Sequence, residues 1–208
     1  MKSTIHLIRH GITEGNLKRW HYGWADIPLA EEGILNLRKQ CHEGIYPRPE
    51  EAAYYTSGMV RTEQTFKEIY GDTPHEVLPL LKEMNFGEFE MKTYDEIKDD
   101  ERYQKWISDK TFQTSIPGGE SKSEFYSRIQ NGFEELLNLH RREELKHRHN
   151  KKDTNSICVC HGGVISCIMI ELFGSDGLGE FLKWIPDPGR GYSLTVEDGK
   201  CVAFEKFN

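Results

Sequence analysis

Apolar residues recur along this chain with two alternating periods, and the alternation predicts a layered fold. Ile5-His6-Leu7-Ile8 is a short apolar run closed by Gly11 and reads as a buried strand. Ala30–Glu43 carries Ile34, Leu37 and Cys41 at spacings of three and four, the pattern of a half-buried helix. Ala52–Thr56 reads as a second strand and Val60–Tyr70 as the helix after it. Thr93-Tyr94-Asp95-Glu96 and Ser121-Lys122-Ser123-Glu124 both have the spacing of a capping box, so each predicts a helix start. The second start opens a long helix striped by Phe125, Ile129, Phe133, Leu136 and Leu137. Ser156–Cys160 reads as a strand, and Val164–Phe173, apolar nearly all round, as a buried helix. Tyr192–Val196 and Val202–Phe207 flank Asp198-Gly199, a hairpin signal. Strands alternating with helices predict an α/β fold, a three-layer α/β/α sandwich with a mainly parallel sheet and an antiparallel edge.

The length of 208 residues favours one domain over two small ones. Neither an internal repeat nor a low-complexity linker divides it, so the expectation is a single domain over residues 1–208. His140–Asp153 holds six Lys or Arg residues and reads as a solvated helix end and loop, with His147-Arg148-His149 inside it. The net charge of −7 offers no general footprint for nucleic acid or an anionic membrane, but leaves room for a local anion site. Five cysteines, three of them within ten residues, do not resemble an extracellular disulfide framework. The first residues form too short an apolar run for a signal peptide, and Val164 to Ile170 is too short to span a bilayer. A reducing, cytoplasmic setting is therefore expected.

Chemistry concentrates where strands end. Arg9-His10-Gly11 follows the first strand and His161-Gly162-Gly163 follows Ser156–Cys160, while Arg61 heads the helix after Ala52–Thr56. Ligands of open α/β sheets collect outside the carboxyl ends of strands. A histidine there can serve as nucleophile or general base, arginine offers a planar fork for phosphate or carboxylate, and a helix N-terminus attracts anions. One strand-end histidine alone would favour a structural role; two His-Gly pairs at opposite ends of the chain argue against coincidence. Cys158, Cys160 and His161 have metal-ligand types, but cysteines two apart on a buried strand share one face and read as packing, so no metal is expected. No P-loop, G-x-G-x-x-G, G-x-S-x-G or H-E-x-x-H run occurs, which removes several enzyme classes.

Six blocks in order resemble the histidine phosphatase superfamily, also called the phosphoglycerate mutase-like family. They are Leu7–Asn16, Gly23–Leu29, Thr56–Thr65, Leu81–Glu90, Pro117–Ser121 and Val159–Ile165. The resemblance implies that His10 is the nucleophile and forms a phosphohistidine. Arg9, Arg61 and His161 would grip the phosphoryl oxygens, with Asn16 and the backbone near Gly162 as further contacts. Glu83 would be the general acid and then the base that activates water. Ser57 would support the pocket, and Tyr22-Gly23 match the family's substrate-facing loop. Phosphoryl transfer is mostly positioning and charge stabilisation, which two arginines and a histidinium supply without metal or other cofactor. His10 must be neutral to attack, whereas His161 is expected to be charged beside a bound phosphate dianion.

The family divides between phosphatases and phosphoglycerate mutases. Mutases typically carry Arg-His after the acid, where this chain has Met84-Asn85, and both branches commonly have tryptophan where it has Gly15. The glycine usual after Glu90 is Met91. The expectation is a phosphatase acting on a small phosphorylated metabolite, as a monomer or homodimer, with residues 92–115 as a cap over the site. A cofactor-dependent mutase is the alternative within the family, and a non-catalytic sensor of phosphorylated ligands the alternative outside it.

Overall fold

The first apolar run becomes the central strand of a six-stranded sheet. A computed structural model describes residues 2–207, the side chains at 177 and 178 excepted; the terminal residues 1 and 208 of the expected domain lie outside it. The strands are β1 (Ser3–Arg9), β3 (Ala53–Thr56), β4 (Glu76–Val77), β6 (Thr154–Cys160), β7 (Gly191–Glu197) and β8 (Lys200–Phe207). Their order is β4-β3-β6-β1-β7-β8; the first four are parallel, and β7 and β8 add the antiparallel edge. The expected α/β architecture is present. Strand alternation explains why β1 and β6 are apolar throughout. Ile5, Leu7, Cys158 and Cys160 face one core, and Ile8, Ile157 and Val159 face the other. Helices α2 (Glu31–His42) and α3 (Val60–Tyr70) cover the second core, while α6 (Lys122–Arg148) and α7 (Gly162–Phe173) cover the first.

Local signals hold closely. Ser121 Oγ accepts the Glu124 N–H at 3.1 Å and Glu124 returns the bond to the Ser121 N–H at 2.7 Å, the reciprocal capping box that opens α6. Asp198 and Gly199 both take positive φ, 49° and 71°, as a tight hairpin turn between β7 and β8 requires. The charged stretch is a helix end and loop open to solvent, as read, except at its first residue. Helix α6 runs on to Arg148, and His140 is fully buried, its ring bonded to Ser3 Oγ at 2.8 Å and Ser156 Oγ at 2.9 Å. It ties α6 to β1 and β6.

Residues 92–115 form a small layer of their own. β5 (Lys92–Thr93) pairs with β2 (Trp20–His21), so the segment is attached to the loop that leaves β1. Helices α4 (Tyr94–Ile97) and α5 (Glu101–Ser108) follow, and α5 buries Tyr103 and Trp106. No helix among the described residues is long and apolar enough to cross a membrane.

Candidate active site

Parallel register brings the strand-end residues together. Arg9 lies opposite Cys160 and Thr56 opposite Val159, so β1, β6 and β3 stop side by side. His10 N–H then reaches Cys160 O at 3.0 Å and Ser57 N–H reaches Val159 O at 3.2 Å. The next residues on each chain, His10, His161 and the turn leading to Arg61, therefore share one edge of the sheet.

His10 is buried, and its Nδ1 lies 2.7 Å from Gly11 O. A carbonyl only accepts, so Nδ1 carries the proton and Nε2 keeps its lone pair. Burial, then Arg61 and Arg9, hold its pKa well below the ordinary 6.5. His161 stands 5.3 Å away between ring centroids. Its Nδ1 accepts from Arg61 Nε at 3.3 Å, leaving Nε2–H to donate to Ser57 Oγ at 2.8 Å. Burial, with Arg61, His10 and Arg9 behind it, holds His161 well below its ordinary range too. Both rings are thus neutral here, while the expectation of a charged His161 concerned the phosphate complex.

Arg61 is fully buried and its guanidinium is fixed from three sides: His161 Nδ1, Ala25 O at 3.1 Å and Gly23 O at 2.6 Å. Three of its five N–H donors are used among the described residues. Arg9 Nη1 donates to Pro186 O at 2.7 Å, while its buried Nε has no partner among the described residues and lies against Gly162. Glu83 meets the first turn of α7, its Oε2 accepting the Gly163 N–H at 2.9 Å and its Oε1 the Met84 N–H at 3.0 Å. A Cβ on Gly163 would stand 2.4 Å from Glu83 Oε1, so only glycine permits this approach.

A cavity of about 750 Å³ opens from this edge, lined at one end by Arg9, Asn16, Glu83, Gly162 and Gly163. Asn16 Oδ1 is occupied by the Thr13 N–H at 3.0 Å, which turns its amide nitrogen into the available donor. Tyr22 lines the cavity and also touches what lies beneath: its ring is 6.5 Å from the His10 ring, with Arg61 Cζ 5.1 Å above it. Gly15 makes room for this, because a Cβ there would lie 2.5 Å from the Tyr22 ring. The tyrosine thus occupies space that the tryptophan expected at position 15 would need. Trp20, His21 and Trp106 also line the cavity, whereas Trp24 lies outside, donating Nε1–H to Glu83 O at 3.1 Å.

Ser57 and Gly23 reach the site indirectly. Ser57 bonds to His161 and, at 3.1 Å, to Thr62. Gly23 gives its carbonyl to Arg61 and its N–H to Glu90 at 2.9 Å. Two positioning groups carry no sign of their role in the sequence. Glu90 accepts the backbone N–H groups of Gly23, Trp24, Ala25 and Phe86, clamping the loop that holds Arg61. Arg128 of α6 pairs with Glu120 through two bonds, 2.7 and 2.8 Å, and donates to the carbonyls of Leu80, Lys82 and Glu83. Only an acidic residue inside a recognised block could have hinted at Glu90; nothing near Arg128 hinted at it.

Comparison with known proteins identifies the family and the fold. The profile of the histidine phosphatase superfamily (branch 1) matches residues 5–208. An adenosylcobalamin/alpha-ribazole phosphatase of Escherichia coli (strain K12) is 30% identical over 176 residues, 81% of this chain and 78% of that protein. A protein of Serratia proteamaculans (strain 568) named "probable phosphoglycerate mutase GpmB" is 28% identical over 177 residues, 82% of this chain and 74% of that protein. The crystal structure of the alpha-ribazole phosphatase from Shigella flexneri superposes with a TM-score of 0.78, covering 99% of this chain and 96% of that one at 23% identity, a likeness of fold. The chain belongs to branch 1 of the histidine phosphatase superfamily.

Proposed function

We propose that the protein is a phosphatase that hydrolyses a small phosphomonoester through a phosphohistidine on His10. The observation that carries this reading is the buried, neutral His10 ring, with Nδ1–H given to Gly11 O and Nε2 without a partner among the described residues, beside two arginines. Nε2 attacks phosphorus as the ester P–O bond breaks, and Glu83 gives its proton to the departing oxygen. Water then attacks the phosphohistidine, its proton passes to Glu83, and the N–P bond breaks. Charge developing on the equatorial oxygens meets Arg9, Arg61 and His161, together with the α7 N-terminus at Gly162. Asn16 adds an amide donor at the cavity wall.

Relatives of both kinds exist, so a mutase is the second reading. A mutase holds a second anionic group close to its acid. Here Met84 is buried, and Asn85, which carries no charge, gives its backbone N–H to Glu120 and accepts the Gly87 N–H on its side-chain oxygen. Water is the acceptor that this surrounding supports. A screen of phosphorylated metabolites should release phosphate with the natural chain and lose at least 10³-fold of that rate in His10→Ala, as removal of a nucleophile demands. Rapid isomerisation of 3-phosphoglycerate with 2,3-bisphosphoglycerate present, outpacing phosphate release, would overturn the phosphatase reading. Phosphate binding without any labelling of His10 would instead identify a sensor.

A further inference from the structure

We infer that the alcohol part of the substrate is a bulky, largely apolar, ring-bearing body rather than a polyol, sugar or sugar acid; the inference rests on the phosphatase reading. A phosphoryl group fills a small fraction of a 750 Å³ cavity, a volume ordinary for a drug-sized ligand. Beyond the residues of the phosphate end the walls include Phe86, Tyr103, Trp106, Phe125 and Phe181. Phe86 lies on the loop that carries Glu83, 6.3 Å from the Trp106 ring between centroids, and Tyr103 is 5.7 Å from Trp106. The group that receives the proton from Glu83 therefore leaves into an aromatic chamber.

Most polar atoms on these walls are committed to the protein. The exception is the buried Trp106 Nε1–H, which has no partner among the described residues. It offers one donor, enough for a single acceptor atom on a ring but not for the several hydroxyls of a sugar. Lys122 Nζ donates to the carbonyls of Trp106 and Ile107 at 3.1 Å each, and its pKa is lowered by burial. The Tyr126 hydroxyl donates to Glu171, the Tyr103 hydroxyl lies 3.3 Å from His21 Nε2, and the Tyr22 hydroxyl 2.7 Å from Thr13 Oγ1. Sugar hydroxyls or a carboxylate placed here would give up water for few partners. An apolar ring has no bound water of its own to give up. Arg19, the remaining cation on the lining, is exposed and stays solvated at the rim. The apolar lining also continues outwards to the rim, where Ile107 is 45% and Leu182 82% exposed.

The test compares 2-(1-naphthyl)ethyl phosphate with glycerol 3-phosphate, two esters of primary alcohols whose leaving oxygens are similarly basic. The expected ratio of kcat/KM is roughly 100-fold in favour of the naphthyl ester, the order that burying two fused rings supplies. An Ile107→Asn, Leu182→Ser double variant, altered only at exposed positions, should lower that ratio about tenfold, since each loses apolar contact. A ratio near one, or a ratio the double variant leaves intact, overturns the inference. The phosphatase reading survives that outcome if both esters release phosphate and His10→Ala abolishes the release. Failure to hydrolyse either ester, with no label on His10, removes both.

Discussion

His10 and His161 sit in one buried cluster, yet hydrogen bonding gives their nitrogens different tasks. The carbonyl of Gly11 can only accept, which fixes the proton of His10 on Nδ1; the guanidinium of Arg61 can only donate, which leaves Nδ1 of His161 bare. Both rings are held neutral by burial and neighbouring arginines. A phosphate dianion reverses the field at His161 but not the need for a lone pair at His10. Nitrogen NMR should accordingly find both rings neutral at pH 6.5 without phosphate. On saturation with phosphate, His161 should take up a proton at Nδ1 as Arg61 Nε–H leaves it for the dianion, while His10 remains neutral. A cationic His10 above pH 7 with phosphate bound would contradict this assignment. Both histidines could be picked out from the sequence because each is followed by glycine at a strand end. Their tautomers could not, since they depend on Arg61, which is distant in the chain.

Helices and strands deliver the site, but cross-chain clamps set its geometry. Glu83 stands in a loop between two short turns, Pro79–Leu81 and Gly87–Phe89, that have little regular structure to hold them. Arg128 supplies the missing order by bonding three carbonyls of that loop while its charge is matched by Glu120. Both partners are 16% exposed, so the pair is largely desolvated. Arg128→Gln should destabilise the fold by about 2–4 kcal/mol, the cost of stranding Glu120 and the carbonyls. It should also lower kcat about 100-fold, with less change in KM, because a displaced general acid acts in the transition state. Denaturant unfolding and steady-state kinetics at saturating ester read the two effects separately. A variant with normal kcat would show that Glu83 does not need this clamp. A capping box is readable from four neighbouring residues; a clamp joining α6 to the loop at Glu83 is not, because no local period links them.

The whole molecule carries its histidines unevenly, and this shapes its response to acid. His6, packed between β1 and β7 and bonded to Ser193 Oγ at 2.8 Å, has its pKa lowered from 6.5 to about 4, chiefly by burial. His140, His10 and His161 are lowered in the same direction. An unfolded chain takes up protons near pH 6.5, whereas the folded protein resists. Stability is therefore complete above pH 6.5 and is lost as pH falls towards 4. His6 alone should cost roughly 2 kcal/mol by pH 5. Thermal unfolding should show a Tm at pH 5.0 lower than at pH 7.5 by at least about 4 °C for a chain of this size. A Tm that holds level or rises would sink the argument, and His6→Asn should flatten the slope. The longer strands of the sheet and the helices that flank it, the two-sided burial of β1 and β6 and the strand-end chemistry follow from short-range periodicity and motif, which neighbouring residues encode directly. The two-residue strands β2, β4 and β5 are too short to show a period. Which groups hold Arg61 and Glu83, why Tyr22 fits above Gly15, how deep the aromatic chamber runs and which histidines are sealed from water follow from contacts between distant segments. Those contacts exist only once the sheet has set its register and the layers have closed over it.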